Sequence, residues 1–362
     1  MTMRERRIAI LAPRLPPQPC GVGAYAWQLY QHSRATHAAE FFVLDDAERS
    51  REMLPDTQIT RIERRAASLR AVLHDHGVTD LILHYAARAY QRFGVPLWLQ
   101  NAIAGWARDP AQRLHVIFHE LPATDLPLLS KHGVANFLSR RVAKEIACCA
   151  SGVVTNSAAH ARRLSIWRGS AVQWVPVGST IPAATDLHDA AHRAGHFVVF
   201  GLPFTRLQIL QTFGSHLQRW KQSGRMQQLH LIGPDDLKFS RQAARILDSV
   251  VDRSSITDHG ELAADEVARV LSDAELCLTN STPDTWSKSS TLMACIANGC
   301  AAIVATDLGK DAPPFLLPTQ VDHANTSSTR NCGTRAQAWF REHATWEIIS
   351  ERISQLIGWG AA

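Results

Sequence analysis

The feature that most constrains this chain is an alternation that runs once and then begins again. Short apolar runs of strand length are each followed by a stretch with helical spacing. Ile8–Ala12, Phe41–Leu44, Asp80–His84, Leu114–Phe118 and Gly152–Thr155 read as strands. Their apolar residues are consecutive rather than alternating, as expected of strands buried on both faces of a parallel sheet. Tyr25–His32, Leu69–His76, Trp98–Arg108 and Gly133–Cys149 read as helices, and Asn156-Ser157 caps another that begins near Ala158. Trp174-Val-Pro-Val-Gly-Ser-Thr-Ile-Pro182 is dense in Pro and Gly and marks a boundary. The pattern then restarts with strands at Phe197–Phe200, Leu229–Ile232, Glu275–Leu278 and Ala301–Ala305, and helices at Ala264–Leu271 and Ser289–Asn298.

At 362 residues the chain exceeds what one hydrophobic core usually organises. The expected architecture is α/β, two Rossmann-like domains in series that face a cleft. Residues 1–176 form the first domain and 177–344 the second. The last helix, from residue 345 onward, can pack on either.

Composition removes several classes of function. Thirty-eight basic against 33 acidic residues leave a net charge of only +5, scattered rather than striped, so nucleic acid is not an expected partner. No run approaches the ~20 apolar residues of a membrane-spanning helix, and the apolar run after Arg7 is too short for a signal peptide. The cysteines number seven, have no CxxC spacing and sit partly in apolar runs, which fits free thiols in the cytoplasm. No broad apolar or polybasic surface helix stands out in the first half, which points away from a bilayer-bound acceptor.

Four places carry residues suited to chemistry. Gly21-Val-Gly23 follows the first strand and opens a helix, where bare backbone and free N–H groups suit an anion. A plain tight turn reads the same way. It is not the GxGxxG fingerprint, because Ala26 takes the third place, although Asp45-Asp46 keep a dinucleotide-binding reading in view. His119-Glu120 ends a buried strand, where open α/β sheets bind ligands, and His84 ends its neighbour. A histidine there suits a sugar hydroxyl or base work near neutral pH; a capping or solvent-facing pair is the alternative. The richest stretch is Thr279–Thr291, a polar loop entering a helix whose start carries Ser287, Lys288, Ser289, Ser290 and Thr291. Ser287 or Ser289 caps it, and helix dipole, free N–H groups and Lys288 together form a diphosphate cradle. Finally, Gly201-Leu-Pro-Phe-Thr-Arg206 reads as a loop whose arginine forks onto phosphate oxygens.

Taken together these residues resemble the retaining GT-B enzymes of glycosyltransferase family four, over nearly the whole chain. Cys20-Gly-Val-Gly-Ala-Tyr25 resembles that family's N-terminal glycine loop, His119-Glu120 its strand-end histidine, and Val153-Val-Thr-Asn-Ser157 the last strand and cap of its acceptor domain. Val175-Pro-Val-Gly178 resembles its linker, Gly201 with Arg206 its phosphate loop, Gly260-Glu-Leu262 with Glu266-Val267 the segment before the donor site, and Ala294–Val304 its helix–Gly–strand ending. The helix around Trp346 resembles the terminal helix that crosses back onto the first domain.

The resemblance implies transfer of a sugar from a nucleotide-diphosphate-sugar, a co-substrate rather than a cofactor, to a saccharide, small molecule or protein acceptor. Retention is implied, without metal. Lys288 and Arg206 would neutralise the leaving phosphate, with Ser289, Ser290 and Thr291 binding it, and Gly21, Gly23 and Gly201 near the donor. His84, His119 and Glu120 would lie on the acceptor side. One departure is marked. The family carries two glutamates eight residues apart, the second five residues before the helix-ending glycine. Counting back from Gly299, those places hold Ala294 and Trp286. Asp284 is the nearest acid. A silent GT-B-like binding protein, a nucleotide-sugar epimerase and a pseudo-glycosyl coupling enzyme are the competing readings.

Overall fold

The structure is a computed structural model that describes residues 6–18, 20–33, 39–45, 47–123, 131–184, 193–248 and 253–358, the side chains of 131, 132, 237, 238 and 253 excepted. The chain forms two units. The first comprises residues 1–176 together with 346–362, and the second residues 177–345.

In the first unit seven strands lie in the order β3-β2-β1-β4-β5-β6-β7, all parallel. They are β1 (Ile8–Leu11), β2 (Ala39–Val43), β3 (Ile59–Arg61), β4 (Asp80–Tyr85), β5 (Arg113–Phe118), β6 (Gly152–Thr155) and β7 (Gln173–Trp174). The central strands β1, β4 and β5 are the ones with unbroken apolar runs, because helices cover both faces there. Leu11, Leu83, Val116 and Phe118 are fully buried.

In the second unit six parallel strands repeat the arrangement as β10-β9-β8-β11-β12-β13. These are β8 (His196–Phe200), β9 (Gln228–Ile232), β10 (Ile256–Asp258), β11 (Leu276–Leu278), β12 (Ala301–Ile303) and β13 (Phe315–Leu316). Successive side chains point to opposite faces. Phe197, Val199, Leu276 and Leu278 therefore join one core cluster, and Val198 and Cys277 the other. Both sheets reverse direction of winding beside their first strand, the point at which a doubly wound sheet presents its ligand crevice.

One segment departs from the sequence reading. Residues 201–206 are not all loop: a helix runs Pro203–Gln222, with Pro203 at its first position, where a missing N–H costs nothing. The Trp346–Ile357 helix packs on the first unit, its Trp346 ring standing edge-on to Tyr25 at 5.0 Å between centroids.

Below the second sheet, at the start of β11, Glu275 is buried and held by Arg225 through two bonds, Nη1–Oε2 at 2.9 Å and Nη2–Oε1 at 2.7 Å. The Gly195 N–H and the Thr329 hydroxyl also donate to it, at 2.8 and 2.5 Å. With all its acceptor positions engaged, this carboxylate stays ionised despite burial. On the same sheet His196, His230 and His259 form a stair of stacked rings with centroids 5.3 Å apart. Their nitrogens meet at 3.2 and 3.0 Å.

Candidate functional site

At the carboxyl ends of the first unit's strands, His84 and His119 stack with ring centroids 5.3 Å apart and meet Nδ1 to Nε2 at 3.1 Å. The register pairs His84 with Ile117, so His119 stands two residues further along β5's exit, close enough for the diagonal contact. Tyr25, on the first turns of the Gly21–Ser33 helix, stands edge-on to His119 at 4.8 Å. Asn156, at the end of β6, donates to the Tyr25 hydroxyl at 3.4 Å and to the Val175 carbonyl at 3.0 Å. Burial pushes His119 down to about 3, partly opposed by its bond to Asn156. His84 is lowered well below the ordinary imidazole range, first by burial and then by the charge of His119. Both rings are therefore neutral near pH 7. Neutral rings suit hydrogen bonding to a hydroxyl, and their low proton affinity makes each a weak general base near pH 7. Tyr25 and Asn156 belong to the site although sequence reasoning noted them only as motif members.

The glycines at the head of this unit have different causes. Among the described residues a β-carbon on Gly21 would meet nothing within 4 Å, so their packing does not require a glycine there. One on Gly23 would stand 1.9 Å from the Arg14 carbonyl oxygen, so Gly23 is required by the packing of the helix against the preceding turn. Asp45 is bound by Arg14 at 3.1 Å and Arg64 at 2.8 Å. Those contacts hold it below the usual carboxylate range against the opposing pull of partial burial. An acid engaged in this way does not read a ribose, and Asp46 lies outside the described residues. Glu120 is exposed. The chain beyond it is tied by Arg163, which donates to the Pro122 carbonyl at 2.9 Å.

In the second unit three glycines rim the carboxyl ends of adjacent strands. Gly201 (φ 140°), Gly233 (φ 133°) and Gly260 (φ 63°) follow β8, β9 and β10. The Gly201 N–H donates to the Ile232 carbonyl at 3.1 Å, and the Gly233 N–H to the Gly260 carbonyl at 2.8 Å. Non-glycine residues avoid these φ values. Beside Gly201 lies the start of the Ser290–Ala297 helix: a β-carbon on Gly201 would come within 3.7 Å of Thr291 Oγ1. Ser289 caps that helix, its Oγ accepting from the Leu292 N–H at 3.1 Å. The N–H groups of Ser290 and Thr291 have no intrahelical acceptor by the geometry of a first turn. Lys288, Ser289, Ser290 and Thr291 are half-buried, Ser287 is buried and Asp284 is exposed. The preceding loop is braced by Asn280, which donates to Gln208 at 2.9 Å.

For Arg206 the reading changes. It sits in the first turn of the Pro203–Gln222 helix and is fully buried beneath the rim. Its Nη2 donates to the Pro234 carbonyl and, at 2.7 Å, to Asp235, and its guanidinium lies 4.0 Å from the centre of the Phe239 ring. Nε and Nη1 are buried and find no partner among the described residues. Helix geometry turns the side chain inward, so Arg206 braces the Gly233–Asp235 turn instead of facing a phosphate.

The two places at which family four carries glutamates are apolar interior. Ala294 is fully buried with Val198 and Ile232, and Trp286 is buried with its ring edge-on to Trp339 at 5.7 Å. Among the described residues no group of three or more His, Cys, Asp or Glu side chains is arranged to hold a metal ion. All seven cysteines are unbridged. No helix among the described residues is long and apolar enough to cross a membrane.

Solved structures share this architecture from end to end. Sucrose-phosphate synthase of Thermosynechococcus elongatus superposes with a TM-score of 0.71 at 15% identity, covering 97% of this chain and 98% of its own. The chain has the GT-B fold. HepE of Anabaena, solved with UDP and glucose, gives 0.66 at 13% identity over 98% of this chain and 100% of its own. A trehalose-6-phosphate protein of E. coli, solved with UDP-2-fluoro glucose, gives 0.61 at 10% identity over 97% and 99%. At such identities the likeness establishes the fold alone. No protein-family model matches the chain, and no curated protein sequence does.

The outer face of the first unit also corrects an expectation. The Lys131–Cys149 helix exposes Val134, Phe137 and Leu138, and the next helix, Ala158–Arg168, exposes Ile166 at 80%. Between the two helices a recess of about 250 Å³ is lined by Phe137, Arg140, Arg141, Lys144 and Trp167. An apolar and basic surface is therefore present in the first half.

Proposed function

We propose that this protein is a glycosyltransferase that takes a hexose from a nucleotide-diphosphate-sugar, with retention and without metal, and passes it to a saccharide, small molecule or protein acceptor. The observation that carries the reading is the pairing of the left-handed Gly201 turn with the half-buried Lys288–Thr291 helix start in a GT-B frame. A diphosphate placed there meets a lysine, two hydroxyls and free N–H groups at the positive end of a helix. As the anomeric C–O bond to the diphosphate breaks and one to the acceptor oxygen forms, charge gathers on the leaving group. Groups already fixed around it stabilise that charge without reorganising. The neutral His84–His119 pair, with Tyr25 and Asn156 behind it, orients the acceptor hydroxyl on the first unit. Seven free thiols suit the cytoplasm. Because HepE and the E. coli neighbour were solved with UDP species, UDP-hexoses are the first donors to try.

Calorimetric titration with UDP-, GDP- and dTDP-sugars, followed by assay of nucleotide release, tests this. Saturable binding of one nucleotide, lost in Lys288→Ala, is expected. A protein that binds none of them is not a donor-dependent transferase. The buried Ala294 and Trp286, in place of two carboxylates, favour one second reading, a silent binding protein. Binding without any nucleotide release across a broad acceptor panel would establish it.

A further inference from the structure

The recess on the first unit's outer face is built of two kinds of group. Phe137 and Trp167 form apolar walls, while Arg140, Arg141 and Lys144 bring three cations within reach of one ligand. Helical spacing continues the apolar part: Val134, Phe137 and Leu138 fall on one face of the Lys131–Cys149 helix, 53, 45 and 40% exposed, and Arg141 and Lys144 follow one and two turns on. Trp167 belongs to the neighbouring helix, where the Arg163 guanidinium lies 5.4 Å from its ring centre and Ile166 stands out into solvent. The one acid on the outer face of the first of these helices, Glu145, is engaged by Gln100.

We infer that this face docks on an anionic lipid surface, with Phe137, Val134, Leu138 and Ile166 entering the acyl boundary and Arg140, Arg141 and Lys144 at headgroup depth. Charge complementarity selects the partner. Each cation near a negatively charged bilayer adds attraction, and the apolar ridge adds burial that a soluble anion cannot supply. Arginine and lysine keep their charged ends at the interface while their stems cover apolar surface, and tryptophan favours the same depth. A nucleic acid would leave the aliphatic ridge in water, which is why a lipid surface fits better. The inference stands apart from the donor reading, since none of these residues lies at the strand ends.

Sedimentation of the full chain with phosphatidylcholine vesicles, with and without phosphatidylglycerol, tests it. Binding to the anionic vesicles alone is expected. Replacing Arg140, Arg141 and Lys144 together by Ser is expected to weaken it on the order of 100-fold, and Phe137→Ser roughly 10-fold. Ile166→Ser serves as a second apolar variant if Phe137→Ser does not fold, with the thermal melt as the check. Unchanged binding in the triple variant overturns the inference. So does full displacement by millimolar inorganic phosphate, which would mark a soluble-anion site. So does binding of a labelled oligonucleotide that the vesicles do not compete away.

Discussion

Gly233 lies so close under Gly201 that a β-carbon on it would stand 2.1 Å from the Gly201 carbonyl oxygen. The two strand-end turns of the second unit are thus nested backbone on backbone, with the Arg206 guanidinium directly beneath. Gly233→Ala would meet both the clash and a φ of 133° that alanine resists. A loss on the order of 3 kcal/mol of unfolding free energy is expected, read from urea denaturation.

Arg206 and Lys288 should separate cleanly. Arg206→Ala empties a buried volume over Phe239 and releases the Pro234–Asp235 turn, so it should cost roughly 2–4 kcal/mol of stability. Lys288→Ala should lower kcat/KM by about 2–3 kcal/mol of transition-state stabilisation while destabilising the fold less than Arg206→Ala. Urea melts beside steady-state kinetics distinguish the two. Equal stability losses would contradict these roles.

The histidine stair predicts an acid limb. Burial, followed by the charges of His196 and His259, pushes His230 down to about 4, and His259 is lowered chiefly by burial. A histidine less basic folded than unfolded makes the unfolded chain bind more protons as pH falls. Stability should hold above the ordinary imidazole value near 6.5 and decline from there toward pH 4. His230→Phe should flatten that slope in a series of urea midpoints.

Restoring a carboxylate at Ala294 should fail. That position is fully buried among apolar side chains. Ala294→Glu is expected to cost roughly 3–5 kcal/mol as an uncompensated buried charge, with no gain in nucleotide affinity. Differential scanning calorimetry and a repeat titration would show both.

Much of the fold could be read before any coordinates. The core strands β1, β4, β5, β8, β11 and β12 announce themselves because burial on both faces leaves apolar runs. The edge strands β3, β7 and β13 have only two or three residues and no period to detect. The Pro203–Gln222 helix was signalled by Leu202-Pro203, a start that the loop reading of 201–206 passed over. Side-chain direction was harder. Gly23 and Gly201 look alike in sequence, but one is demanded by the Arg14 carbonyl and the other by its own φ. Arg206 reads as a surface cation until Asp235 and Phe239, some thirty residues on, are seen to enclose it. The basic and apolar face draws on Phe137 and Trp167, also thirty residues apart, so neither helix alone displays it.

The packing of Trp346 against Tyr25 has a consequence for how the protein is made. Tyr25 leaves the ribosome early, whereas its covering helix is translated only after the whole of the second unit. The first unit must wait, with Tyr25 uncovered, through the synthesis of some 170 intervening residues. The second unit, contiguous in sequence, needs no such delay and can finish folding first.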